Sequence, residues 1–151
     1  MARKSDWSFW DWLALAGGVW LFSSLFKKTK EASIGVLKDA LRNMFPYTDR
    51  FNKQVFYNDM LKYSRAEQNE IIKLIVEGRR KSLDSSVYSR FKYGTTLTAE
   101  LRDTVFGWRI FVYQLSEHDF IMLHVFKKLK RGTDEKEIRI AESRLREYLN
   151  S

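Results

Sequence analysis

The sequence predicts an α+β domain in which helices pack on an antiparallel sheet, and a hydrophobic helix precedes this domain. Arg109–Leu115 and Phe120–Lys127 are apolar stretches separated by the polar residues Ser116–Asp119, which is the pattern of a β-hairpin. Both stretches are apolar almost throughout, so we expect strands buried on two faces with a helix covering one side. One segment with helical periodicity precedes the hairpin and another follows it, and further strands are predicted between them and before the first. The predicted order is strand, helix, three strands, helix.

The first half of this domain is predicted from local signals. Lys53–Met60 contains Val, Phe and Tyr in succession and predicts a first strand. Ser64 and Glu67 have the spacing of a capping box, which starts a helix that we expect to stop at Gly78. Thr95–Arg102 alternates in part and predicts a second strand.

A closing helix is predicted after Gly132. Asp134 and Glu137 repeat the spacing of a cap-like pair at its start. One apolar face follows at helical spacing, formed by Ile138, Ala141, Leu145 and Tyr148.

The first quarter of the chain has a different character. Trp7–Phe26 is nearly uncharged apart from Asp11 and is just long enough to span a bilayer. Three interpretations stay open: a membrane anchor, a helix lying in the membrane interface, or a helix packed on protein. We predict a leader at residues 1–30, a helix and linker at 31–50 in which Met44–Pro46 stops the helix, and the main domain at 51–151.

The charge of the chain points to polyanionic partners. It has 27 Lys and Arg against 19 Asp and Glu, a formal net charge of +8 over 151 residues. Such an excess favours nucleic acid, a ribosome or an anionic membrane face. There are no cysteines, which excludes a disulfide scaffold and a cysteine nucleophile.

Three segments in order carry a resemblance to a known superfamily. They are Glu100–Arg102 (ELR), Trp108–Leu115 (WRIFVYQL) and Ile121–Arg131 (IMLHVFKKLKR), followed by the closing helix. This arrangement, over about residues 51–151, resembles the RelE/HigB-like superfamily of type II toxins, in particular its phage-derived HigB-type branch. The catalytic tyrosine that the best-known member carries near its final helix has no counterpart within Asp134–Ile138.

The resemblance implies an endoribonuclease that cleaves mRNA, usually on the ribosome, without a metal or other cofactor. In that reaction the 2′-OH of the RNA attacks the adjacent phosphate and leaves a cyclic phosphate and a 5′-OH. The protein has to orient the backbone, stabilise charge on phosphate oxygens and move two protons.

The same resemblance points to individual residues. Arg102 matches the arginine of an L-R strand end and would stabilise phosphate charge in the transition state. Arg109 matches the arginine of a YR strand and is either catalytic or part of a structural ion pair. His124 occupies the histidine position of the last strand, where it would be a general acid or base. The predicted RNA contacts are Lys92, Lys127, Lys128, Lys130 and Arg131.

The resemblance also implies partners and a location. They are mRNA and the ribosome, a cognate antitoxin protein, and a cytoplasmic location with possible membrane association of residues 7–26 at the inner face. Two other functions stay open: an inactive toxin-fold binding module tethered to a membrane or partner, and a ParE-like gyrase inhibitor.

Overall fold

The computed structural model describes residues 42–91, 94–132 and 134–151. The leader predicted at residues 1–30 and nearly all of the helix predicted at 31–43 lie outside the described residues. In the described part of the chain, no helix is both long enough and apolar enough to cross a membrane.

A five-stranded sheet forms the centre of the domain. Its strands, in chain order, are β1 (Asn43–Pro46), β2 (Tyr88–Arg90), β3 (Ala99–Arg102), β4 (Trp108–Gln114) and β5 (Asp119–Lys127). The order across the sheet is β1-β5-β4-β3-β2, with β1 parallel to β5 and every other pair antiparallel. With the helices below, this arrangement confirms the predicted α+β class.

Three helices accompany the sheet: α1 (Val55–Leu61), α2 (Arg65–Arg80) and α3 (Glu135–Leu149). The strand predicted at Lys53–Met60 is wrong, because most of that segment belongs to α1. Phe56 and Met60, one helical turn apart, are both buried, and Asn58 donates its N–H to the Gln54 carbonyl. Burial on one helix face has overridden the β-preference of the Val-Phe-Tyr run.

Two shorter elements also depart from expectation. Met44–Pro46, predicted to end a helix, belongs to edge strand β1, where proline is tolerated because the outer side of the strand has no ladder to complete. Tyr88–Arg90, which lies in none of the predicted strands or helices, forms edge strand β2.

The start of α2 agrees with prediction and its end does not. The Ser64 side chain accepts from the Glu67 N–H while the Glu67 carboxylate accepts from the Ser64 N–H, which confirms the capping box. The helix runs past Gly78 to Arg80. Gly78 is instead a point of close approach: its carbonyl accepts from the buried Tyr88 hydroxyl at 2.6 Å.

The two faces of the sheet are covered by different helices. Trp108, on one face, donates its indole N–H to Glu70 of α2 at 3.2 Å, and Leu101 lies under Gly78 of the same helix. Side chains alternate along each strand, so the residues between these point to the other face, which we call the α3 face. The strand register brings together on it Glu100, Arg102, Arg109, Phe111, His124 and Phe126.

Candidate functional site

A cleft opens on the α3 face between the sheet and the first half of α3. Its volume is about 470 Å³, and we call it the α3 cleft. Glu100 and Phe111 come from the sheet, Lys128 from the end of β5, and Phe91 and Thr95 from the segment between β2 and β3. The wall formed by α3 and the residues before it consists of Gly132, Asp134, Glu135, Ile138, Arg139 and Glu142.

Glu100 is a largely buried carboxylate at the sheet side of this cleft. Its side chain is 15% exposed, and its Oε1 lies 3.5 Å from Arg102 Nε and 3.9 Å from Arg109 Nε. Burial raises the pKa of the Glu100 carboxyl, and the positive charges of Arg109, Arg102 and Lys128 oppose that shift. The carboxyl is therefore a better proton acceptor than an ordinary surface glutamate.

The two predicted arginines face each other across β3 and β4 but have different surroundings. Arg102 ends β3, and 42% of its side chain is exposed to solvent. Arg109 is buried, and its Nη1 donates to the carbonyls of Asp103 and Trp108, both at 2.9 Å. Arg102 can therefore meet a phosphate from solution, whereas the contacts of Arg109 are those of a structural guanidinium that also orients Glu100.

His124 lies on the same face, enclosed by α1 and α3. Its Nε2 bonds to Glu137 Oε2 on α3, its Nδ1 is 3.4 Å from Arg144 Nη1, and its ring stacks on Phe126 with 5.6 Å between centroids. Arg144 in turn pairs with Asp59 of α1 at 2.8 Å. We call Asp59, His124, Glu137 and Arg144 the His124 cluster.

These contacts favour one tautomer of the neutral imidazole. A guanidinium can only donate, so a hydrogen bond from Arg144 to Nδ1 places the ring proton on Nε2, facing Glu137. Burial lowers the pKa of His124, Arg144 lowers it further, and Glu137 and Asp59 oppose the shift. With 10% of the side chain exposed and both nitrogens occupied, the imidazole is held as a neutral, packed group rather than presented to the α3 cleft.

The structure does not bring the predicted RNA contacts together in one cluster. Lys127 points to the other face, with its Nζ 5.4 Å from the Trp108 ring centroid and 4.0 Å from Glu67. Lys128 lines the α3 cleft and bonds to the Gly132 carbonyl and to Asp134. Lys130 and Arg131 are exposed in the loop before α3, and Lys92 lies outside the described residues.

Several residues of this region escaped prediction. Glu100 stood inside the ELR motif but was not singled out, because its burial between two arginines depends on strand pairing. Asp134 and Glu137 were predicted as a capping pair, yet Asp134 makes no capping hydrogen bond and their carboxylates pair with Lys128 and His124 instead. Arg144 carried no local signal, since its contacts come from tertiary packing alone.

Comparison with known protein families assigns the chain to one of them. It belongs to the family described as phage derived protein Gp49-like (DUF891), which matches residues 58–146. This family is part of the RelE/HigB-like toxin superfamily, which confirms the resemblance at the level of the superfamily but not its HigB-type branch, and it is associated with toxin–antitoxin systems. Membership implies a cognate antitoxin as partner. A comparison with curated proteins found no match.

Proposed function

We propose that this protein is the toxin of a type II toxin–antitoxin system and acts as an endoribonuclease on mRNA bound to the ribosome. The 2′-OH of one nucleotide attacks the adjacent phosphate, and the products carry a 2′,3′-cyclic phosphate and a 5′-OH. The observation that carries this proposal is the α3 face of a protein of a toxin family, where Glu100 and Lys128 line one cleft and Arg102 and Arg109 both contact Glu100.

Charge stabilisation is the main demand of such a reaction. The pentavalent phosphorus of the transition state carries more negative charge on its oxygens than the ground state, and fixed cations stabilise that charge. Arg102 fits this task because its guanidinium reaches solvent while Glu100 orients it through Nε. Lys128 supplies a second positive charge at the cleft wall, held in place by Gly132 and Asp134.

The buried residues of the face have supporting tasks in this scheme. Arg109 fixes the turn after β3 through the Asp103 carbonyl and adds positive potential beneath the cleft. The His124 cluster joins β5 to α1 and α3 and so fixes the wall of the cleft. Proton transfer therefore has to come from a residue other than the enclosed His124.

Induced expression in a bacterial host tests the proposal. The 151-residue chain should arrest growth, and mRNA mapped by primer extension should show new 5′ ends that carry a hydroxyl. Arg102→Ala should reduce the cleavage rate about 10²–10³-fold, because one transition-state charge contact is lost. Arg90→Ala is the matched control. Arg90 is also an exposed strand arginine, but it lies on edge strand β2 and pairs with Asp84.

The other outcomes separate the rival functions. Growth arrest with intact mRNA would point to a ParE-like inhibitor of gyrase. A harmless protein that leaves mRNA intact would mark a toxin fold kept as a binding module. Equal cleavage by the Arg102 and Arg90 variants would remove Arg102 from the site while leaving the nuclease in place.

A further inference from the structure

We infer that Glu100 is the proton acceptor of the site: its carboxylate takes the proton from the attacking 2′-OH of the RNA. This inference rests on the proposed nuclease function and adds to it the group that activates the nucleophile.

Position is the first argument. Glu100 lines the α3 cleft, and its Oε1 is within 4 Å of two guanidinium groups. A phosphate bound by Arg102 would therefore lie next to this carboxylate. The ribose 2′-oxygen would lie near it too, because it is on the carbon adjacent to the one that carries the 3′-oxygen of that phosphate. A general base has to be within hydrogen-bonding reach of the proton that it removes, and this arrangement supplies that reach.

Basicity is the second argument. Because burial raises the pKa of the Glu100 carboxyl above its ordinary value, the carboxylate holds a proton more firmly than an exposed glutamate does. The positive charges of Arg109, Arg102 and Lys128 oppose this rise and favour the carboxylate form that accepts a proton. General bases work best when their pKa approaches the working pH while the base form still predominates.

Elimination is the third argument. His124 has both ring nitrogens engaged by Glu137 and Arg144 and is almost fully enclosed. The other carboxylates of the cleft wall, Asp134, Glu135 and Glu142, come from α3 or the residue before it, and Asp134 is paired with Lys128. Among the cleft residues that the structure describes, Glu100 alone is a carboxylate in contact with the guanidinium that would hold the phosphate.

One bond to phosphorus forms and one breaks in this reaction. Glu100 removes the proton of the 2′-OH while the 2′-oxygen forms a bond to phosphorus. The bond from phosphorus to the 5′-oxygen breaks, and the departing 5′-oxygen takes a proton from water. Glu100 then returns its proton to the solvent, which leaves a cyclic phosphate, a 5′-OH and the carboxylate ready for another cycle. No oxidant, reductant or other reactant is consumed.

The test compares single-turnover cleavage of ribosome-bound mRNA between pH 5 and 8 by the wild type and three variants. Glu100→Gln keeps the shape of the side chain without its basicity, and Glu100→Asp keeps a base on a shorter stem. Glu117→Gln removes an exposed carboxylate in the turn between β4 and β5, outside the α3 cleft. In the wild type the rate should rise with pH through the raised pKa of Glu100.

We expect Glu100→Gln to lower the rate on the order of 10²–10⁴-fold and to abolish the rise with pH. Glu100→Asp should retain partial activity, with the rise moved along the pH axis. Glu117→Gln should keep the wild-type profile and a rate within about twofold, because its carboxylate is exposed outside the α3 cleft. Circular dichroism of each variant shows whether a loss of rate reflects unfolding.

Two results would overturn the inference. One is a folded Glu100→Gln variant that cleaves at the wild-type rate or keeps the wild-type pH profile. The other applies if Glu100→Gln does not fold: a Glu100→Asp variant whose pH profile is unchanged shows that the carboxylate is not the titrating base. A wild type that cleaves no RNA at any pH would instead remove the nuclease proposal, and this inference would fall with it.

Discussion

His124 is the side chain whose role the structure changes most. It was expected to be a general acid or base, yet its Nε2 faces Glu137, its Nδ1 accepts from Arg144, and Asp59 completes the cluster from α1. These are contacts that hold three elements together. We therefore expect substitution of His124 to affect folding stability more directly than catalysis.

The pH dependence of stability tests this role of His124. Its folded-state pKa is lowered below the ordinary value of 6.5, so the unfolded chain binds the proton first as the pH falls. Stability from the neutral imidazole is present above about pH 6.5 and decreases as the pH falls towards the folded-state pKa. Denaturant unfolding at pH 7.5 and 5.5 should show this loss in the wild type, and the loss should be smaller in His124→Phe.

His118 is the matched control for this experiment. It lies in the turn before β5 with 59% of its side chain exposed, near the exposed carboxylate of Glu117. His118→Gln should leave the pH dependence of unfolding as it is in the wild type. A His124→Phe protein that loses as much stability as the wild type between the two pH values would contradict the assignment.

At neutral pH, His124→Phe should also lower stability by about 1–3 kcal/mol. The substitution leaves Glu137 and Arg144 without their shared partner on the sheet, and both side chains are mostly buried. The free energy of unfolding measured in urea at pH 7.5 gives this number. A value equal to the wild type would show that water replaces the imidazole without cost.

Among the secondary-structure elements, α2 and β3 approach each other closely at Gly78. A Cβ on Gly78 would lie 2.9 Å from Leu101 Cδ1, closer still to Cδ2, and 3.1 Å from the Tyr88 hydroxyl. Leu101 is fully buried, so its side chain has little room to move. Gly78 therefore sets the distance between the helix and the strand that carries Glu100 and Arg102.

We expect Gly78→Ala to destabilise the fold by about 1–3 kcal/mol, because overpacking outweighs the gain of up to about 1 kcal/mol in helix propensity. Urea unfolding measures the change. The matched variant is Gly78→Ala combined with Leu101→Ala, which removes the opposing methyl groups. In a double-mutant cycle the two substitutions should be less destabilising together than the sum of their separate effects. Simple additivity would show that the contact does not limit the packing.

The elements that sequence could predict are those that local pattern determines. β4 and β5 are long and apolar, and the start of α2 has a capping box that needs only Ser64 and Glu67. The strand expected at Lys53–Met60 failed because Val, Phe and Tyr favour strands locally, while the burial of Phe56 and Met60 favours a helix only in the folded context.

The candidate site, too, could be predicted from the sequence only in part. The motif order located Arg102, Arg109 and His124, and all three lie on one face of the sheet. Which of them meets solvent depends on contacts that form only in the folded protein: the Asp103 carbonyl accepts from Arg109, and α3 encloses His124. The base proposed here, Glu100, differs from Arg102 by two positions in β3 and was missed because burial alone makes it unusual.

In the whole molecule, the positive charge is unevenly placed. The chain carries a formal net charge of +8. Lys127 lies on the α2 side of the sheet, where it pairs with Glu67. Lys130 and Arg131 are exposed in the loop after β5, next to the α3 face. If RNA enters the α3 cleft, these two residues are placed to contact phosphates that flank the cleaved bond. If the protein attracted RNA by net charge alone, every exposed Lys or Arg would contribute equally to RNA binding.

The salt dependence of RNA binding distinguishes specific contacts by Lys130 and Arg131 from attraction by net charge alone. A single-stranded oligonucleotide with 2′-deoxy sugars cannot be cleaved, so its affinity can be measured over a range of salt concentrations. Each phosphate contact in a single strand contributes about 0.7 to the slope of log affinity against log salt, so Lys130→Ala combined with Arg131→Ala should reduce the slope by about 1.4. Lys53→Ala combined with Lys62→Ala removes the same charge from the exposed ends of α1 and should leave the slope unchanged. Equal reductions in both double variants would mean that the protein attracts RNA by net charge and that the loop beyond β5 is not its RNA interface.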